Sequence, residues 1–495
     1  MLHRADDVSI PSFYFKLKTH LITSPQKTLS PNYMRKLLTL ALFAATLGTS
    51  AQTTSGGITP QMLEKISHAY PANPALRNAL AGTSINQLAT RADNPDQYDT
   101  HFSNEVPSRG ITDQKSSGRC WLFTGLNVMR AKMIKQQGLG DFQFSQSYCF
   151  FYDQLEKSNL FLQAVIDNAN KPMSDQLVDW LFKNPLSDGG TFCGVIDVVS
   201  KYGLVPAEAM PESYNANNTS RMAAIISLKL REYGLALRKL AAKGKKTAEL
   251  EKLKTQQLGT IYHILAVCLG EPIKQFTWAP RDANGKPLAE ARTYTPQEFY
   301  QTYVGKDLKN DYVMLMNDPS RPYHKTYTID MDRHSYDGKQ WTYLNLPMSE
   351  IKSMAAASIK DSTMMYFSCD VGKYLDSKTG ILSLKNYDYE SLFSTTFGMT
   401  KAERISTYAS ASSHAMTLMA VDLDAKGTPR KWMVENSWGA SSGYKGHLIM
   451  TDEWFDEYMF RLVVDKKYVP AATLKLMQQT PVKLPAWDPL FAAEN

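Results

Sequence analysis

Cysteine is scarce in this chain: there are five in 495 residues, at positions 120, 149, 193, 268 and 369. Thiols spaced that widely do not make a disulfide framework, and an odd count is what a free reactive thiol leaves behind. No cysteine precedes Cys120, which excludes a lipoprotein attachment site upstream. There is no HExxH, no paired CxxC, no P-loop and no GxGxxG. Metal and nucleotide chemistry therefore have no motif to rest on, and no metal or cofactor is expected. Internal repeats and low-complexity tracts are missing too. With 43% apolar and 21% charged residues the composition is that of an ordinary globular protein.

The one sustained apolar stretch lies in residues 34–51, MRKLLTLALFAATLGTSA. Arg35 and Lys36 precede eleven apolar-rich positions, 37–47, and Thr49-Ser50-Ala51 offers a small-residue cleavage site. Eleven residues are too few to cross a hydrocarbon core of about 30 Å as a helix. The segment reads as a signal peptide, with residues 1–33 as an upstream overrun and translation starting at Met34. A mature chain beginning at Gln52, exported and without a membrane span, is the expectation. Residues 1–51 hold six Lys/Arg and two Asp/Glu, so the formal charge of +7 falls to about +3 once they are removed. That is a weak invitation to a polyanion, and a nucleic-acid partner is not expected.

Helix signals dominate the first half. Thr59-Pro60 offers an N-cap and a first-turn proline for a helix to about Tyr70, while residues 71–109, rich in Pro, Asn and Asp, read as an extended arm. From Cys120 the stripe Leu122, Leu126, Met129, Met133 is helical, and Gly138 stops it. Two long helices are predicted over 220–270, separated by Lys-Gly-Lys-Lys at 243–246, and Thr295 to Glu298 forms a capping box. Past about residue 362 the pattern alternates like strands. The division expected is an N-terminal helix and arm (52–115), a helical lobe with Cys120 (116–199), a helical insertion (200–350), a β-rich lobe (351–470) and a tail (471–495).

A cysteine nucleophile needs a base, a group to orient the base, and donors for the oxyanion. Cys120 at a helix start has the positive end of the dipole to lower its pKa. The histidines of the mature chain are His68, His101, His263, His324, His334, His414 and His447. His414 opens an alternating strand, and a second strand follows the turn at 424–429. A hairpin centred near 425 would set His414 opposite Asn436, whose carbonyl can accept the ring N–H. A core histidine beside a surface asparagine is the plainer alternative. Gln114, six residues before Cys120, is a candidate oxyanion donor; alone, it would read as an exposed loop residue.

The segments QKSSGRCW (114–121), SSHAMTLMAV (412–421) and VENSWG (434–439) together resemble the catalytic segments of papain-like cysteine peptidases, in the bleomycin hydrolase/aminopeptidase C branch. Ser117 and Arg119 depart from the papain pattern C-G-[SA]-C-[WY] as that branch does. FSQSYCFFYD (144–153), KYGLVP (201–206), PESY (211–214), AASIKD (356–361), DVGK (370–373), MTDEWF (450–455) and LPAWDP (484–489) extend the match over 58–495. The resemblance implies an α+β papain-like two-lobed fold, helical lobe plus β-rich lobe, with a large helical insertion and a C-terminal tail in the cleft. It implies Cys120 as nucleophile, His414 as general base and acid, Asn436 as its orienting residue and Gln114 as oxyanion donor. Trp438 is expected to shield the His–Asn bond from water, and Asn495 to bind the substrate's amino terminus. The remaining cysteines are expected to be inert core thiols. The function implied is a cysteine aminopeptidase acting on peptides, as a homohexamer. An endopeptidase or dipeptidyl-type peptidase on the same fold, or a nucleic-acid-binding hexamer, is the alternative.

Overall fold

The computed structural model describes residues 56–491 apart from 71, 72, 95, 97 and 98. The expected overrun and signal peptide (1–51), and Asn495, lie outside the described residues. The chain divides into two units after Gly82. In the first, Thr59 caps the helix Pro60–Ala69, its side chain accepting from the Met62 N–H, and a second helix spans Pro74–Gly82. The arm expected over 71–109 is therefore partly helical. A third short helix, Ile85–Ala89, opens the second unit under a Ser84 cap.

In the second unit a helical lobe is built around Cys120–Gln137, which ends at Gly138 with φ 64°. Its residues from Trp121 to Arg130 are all buried, because neighbours cover it on every side. A methyl at Gly125 would sit 2.5 Å from Val195 on the helix Phe192–Tyr202, so the two helices touch only because glycine stands there. Helices Ser220–Ala242 and Thr247–Leu269 pack on Gln146–Asp167, matching the two helices predicted across the 243–246 turn. The capping box at Thr295 and Glu298 opens Pro296–Tyr303 as expected.

Among the described residues, twelve strands join in one sheet. The stretch of it that carries His414 runs from Met459–Asp465 through Met365–Cys369, His414–Leu423 and Pro429–Glu435 to His447–Thr451. Residues 200–350 are not wholly helical. Strands Tyr312–Met316, Lys325–Ile329 and Tyr343–Asn345 continue the same sheet beyond Met459–Asp465. They are short and largely buried on both faces, so they lack the alternation that betrays a half-buried strand. The tail strand Val482–Leu484 adds to Lys325–Ile329 in parallel. One hydrophobic core gathers the helices and a second lies within the β-rich lobe.

Candidate active site

Cys120 is the first residue of its helix, and the loop before it is tied down from three sides. Ser116 N–H donates to Asn217 O (3.0 Å) and Gln114 N–H to Ser437 O (2.8 Å). Gly118 N–H donates to Asp188 Oδ2 (2.7 Å). The helix itself packs against the strand His414–Leu423, which brings His414 to the same cavity as Cys120. That cavity, about 250 Å³, also takes in Gln114 and residues 187–190.

His414 is buried and pairs in the sheet with Cys369, not with Asn436. The hairpin register differs from the one expected. Thr417 faces Glu435, and Ala420 faces Met433 across a bulge, so paired residue numbers sum to 852 and 853 where 850 was expected. Pairing stops at Glu435, yet Asn436 reaches across the strand end to place its Oδ1 2.9 Å from His414 Nε2. The same Oδ1 accepts the Ser437 N–H at 2.8 Å. A backbone N–H can only donate, so that bond fixes the amide with its oxygen toward the imidazole. The proton between Nε2 and Oδ1 then belongs to Nε2, and Nδ1 keeps its lone pair. The Trp438 ring lies 4.8 Å from the imidazole, tilted by 31°. Burial pushes His414 down to about 4, with the Asn436 hydrogen bond acting in the opposite direction.

Gln114 is not an exposed loop residue; it is 7% exposed. Its Oε1 accepts from Ser437 Oγ (2.7 Å) and its Nε2 donates to Ser117 O (2.6 Å). Those bonds settle the amide's orientation and leave its second N–H for another acceptor. Ser437 thus orients both Asn436 and Gln114. Sequence reading passed it over, as it did Asp188 and the buried pair Arg130–Glu435 (2.7 Å). The last joins the Cys120 helix to the residue before Asn436 across 305 positions. Only a loop signal, Ser-Asp-Gly-Gly at 187–190, marks the remaining wall.

Among the described residues no other histidine lines the cavity of Cys120 and His414. His334 is buried against Asp153 (2.5 Å), His324 pairs with Glu350 (2.6 Å), and His263 lies within a helix. Cys149, Cys193 and Cys369 are buried and Cys268 half-buried, and burial pushes all four thiols up. Among the described residues no group of three or more His, Cys, Asp or Glu is placed to hold a metal ion. No described helix is long and apolar enough to cross a membrane.

A model of the peptidase C1-like family matches residues 57–491. Human bleomycin hydrolase is 43% identical over 403 residues, 79% of this chain and 88% of that protein. Aminopeptidase C of Lactobacillus delbrueckii subsp. lactis is 38% identical over 429 residues, 86% and 95% of the two chains. The crystal structure of PepW from Lactobacillus rhamnosis superposes with a TM-score of 0.83 at 36% identity, covering 88% of this chain and 99% of that one. The two-lobed papain-like fold, the matched length and these identities agree: the chain belongs to the peptidase C1-like family.

Proposed function

We propose that the protein is a cysteine aminopeptidase that removes N-terminal residues from peptides, with Cys120 as nucleophile. The observation that carries this is the oriented imidazole. Ser437 fixes Asn436, Asn436 fixes the Nε2–H tautomer of His414, and the Nδ1 lone pair is left to take the thiol proton. The thiolate sulfur attacks the peptide carbonyl carbon while the second N–H of Gln114 receives the developing oxyanion. His414, now protonated, passes its proton to the leaving amine as the C–N bond breaks. It then deprotonates the water that releases the acyl group from sulfur. A sulfur anion beside the imidazolium offsets the burial that otherwise keeps His414 neutral. Trp438 keeps water from the His–Asn bond. The names of the relatives, bleomycin hydrolase and aminopeptidase C, support the substrate class.

The test is turnover of free-amine and N-acetylated dipeptide fluorogenic substrates by the wild type and by Cys120→Ala. Wild type is expected to prefer the free amine. The variant should fold normally with turnover below about a hundredth of wild type. Iodoacetamide resistance, or a variant above that level, would sink the cysteine mechanism, and equal cleavage of both substrates would favour an endopeptidase.

Export through residues 34–51 and assembly as a homohexamer belong to the same proposal. The first is supported by the signal-like pattern, and N-terminal sequencing of the exported protein should begin at Gln52. The second is supported by Ile225, Leu228 and Leu235, exposed apolar side chains along the helix Ser220–Ala242. A monomer by light scattering at micromolar concentration contradicts it.

A further inference from the structure

Residues 187–190 wall the cavity that holds Cys120 and His414, and a single ammonium holds that wall in shape. Lys157 Nζ donates to Ser187 O (3.0 Å) and Gly189 O (2.6 Å). Its third partner is Asp153 Oδ2 at 3.0 Å. Three acceptors satisfy all three ammonium protons, so the group has one geometry open to it. Asp153 is wholly buried, and its other oxygen meets His334 Nδ1 at 2.5 Å. The His334 ring backs the wall so closely that a methyl at Gly190 would stand 2.2 Å from its Cε1, and one at Gly194 2.1 Å from its Nδ1. Trp121, next to Cys120, meets the His334 ring edge-on at 4.8 Å and Lys157 Nζ at 5.3 Å.

We propose that Lys157 is a positioning residue for substrate binding, acting through the Gly189–Gly190 peptide plane. In a trans peptide the C=O and the following N–H point opposite ways. With Gly189 O held on Lys157, Gly190 N–H is turned to the other side of the wall. Among the described residues that N–H donates to no acceptor. A glycine pair bares the backbone to an approaching chain, and an extended peptide takes such an N–H on its own carbonyl. Asp153 sets the ammonium, and His334 keeps the glycines from retreating. Lys157 touches neither the reacting sulfur nor the substrate; it decides which way the wall presents its donor.

This rests on the reading of Cys120 and His414 as the reacting pair, so the test separates the two. Lys157→Met should raise KM for a free-amine dipeptide substrate by about tenfold, the effect of one misplaced hydrogen bond, with kcat within about threefold. The rate at which iodoacetamide alkylates Cys120, and its pH profile, should not move, because the small reagent does not use the wall. Lys157→Arg, which keeps the charge and two or more donors, should recover part of the KM. An unchanged KM, or a loss confined to kcat, overturns the proposal. If alkylation slows in parallel, Lys157 tunes the thiol and the wall reading is wrong. Should Lys157→Met not fold, Gln154→Met replaces it, since Gln154 Nε2 is the other donor to Ser187 O, at 3.0 Å. A KM rise of about two- to fivefold is then expected, and no rise overturns the proposal. If free-amine turnover in the wild type proves independent of Cys120, it is the underlying function that fails and not the role of the wall.

Discussion

His414 is oriented by a residue that is oriented in turn, and this order sets how much each substitution should cost. In the proposed mechanism His414 carries the proton, so His414→Ala should lower kcat/KM by about 10²-fold or more. Asn436→Ala leaves the carrier but frees its tautomer and its ring, so the loss should be smaller. Equal or reversed losses in kcat/KM would refute these roles. Burial gives the same imidazole a second signature. Its folded pKa is lowered to about 4, against about 6.5 in an unfolded chain. Between those values the unfolded state binds the extra proton, so stability is full above about pH 6.5 and is lost as pH falls toward 4. The whole contribution is about 3 kcal/mol at most. Urea unfolding at pH 7.5, 6 and 5 should show a steeper fall for Cys120→Ala, in which no thiolate can pair with the imidazole, than for Cys120→Ala combined with His414→Gln. Parallel slopes would mean that the imidazole is not held neutral.

At the scale of elements, the start of the helix Cys120–Gln137 is set by a glycine and a carboxylate and not by a side-chain cap. Asp188 Oδ2 takes the Gly118 N–H, and a methyl at Gly118 would stand 2.4 Å from Asp188 Oδ1. Asp188 O also accepts Trp121 Nε1 at 2.9 Å, so the wall and the helix start move together. Gly118→Ala should therefore lower kcat/KM by about tenfold or more, with a loss of stability of about 1–3 kcal/mol by thermal unfolding. Wild-type activity in that variant would show that the loop yields without disturbing Cys120. The helix itself was legible from its apolar stripe and Gly138, as were both long helices and the Thr295 box, because caps and periodicity are local. The strands of 312–345 were not, since burial on both faces erases alternation. Nor was the hairpin register. A bulge between Leu418 and Ala420 lies inside a uniformly buried strand, where no sequence pattern marks it. Cys120, His414 and Asn436, which the fold brings together, could be singled out as candidates because each sits in a segment with its own motif. Ser437, Arg130 and Asp188 act through partners far away in the chain, and such contacts leave no local trace.

For the molecule as a whole, the role proposed for the tail is selection of free amino termini. Its approach is well anchored. Asp488 accepts from Arg321 at 3.0 Å, Leu490 and Phe491 are buried, and the Arg461 guanidinium lies 4.7 Å over the Phe491 ring. Phe491 lines a cavity of about 80 Å³ together with Gly189 and Gly190, the same glycines that wall the Cys120 cavity. Phe491 thus lies one wall away from the proposed reacting groups. If Asn495 binds the substrate's amino terminus, as the resemblance implies, its partner is an α-ammonium that is mostly charged at pH 7. A hydrogen bond to a charged group contributes about 1.5–3 kcal/mol, or about a 10- to 150-fold preference for a free amino terminus. On that reading residues 492–495 also block chains that would run through the cleft. Deleting residues 492–495 should therefore weaken cleavage of free-amine substrates and admit N-acetylated and internal bonds. Anchoring by Asp488, Leu490 and Phe491 should leave thermal stability nearly unchanged, which separates lost selection from lost fold. If the truncated enzyme keeps its full preference for free amino termini, the selector lies elsewhere in the cleft.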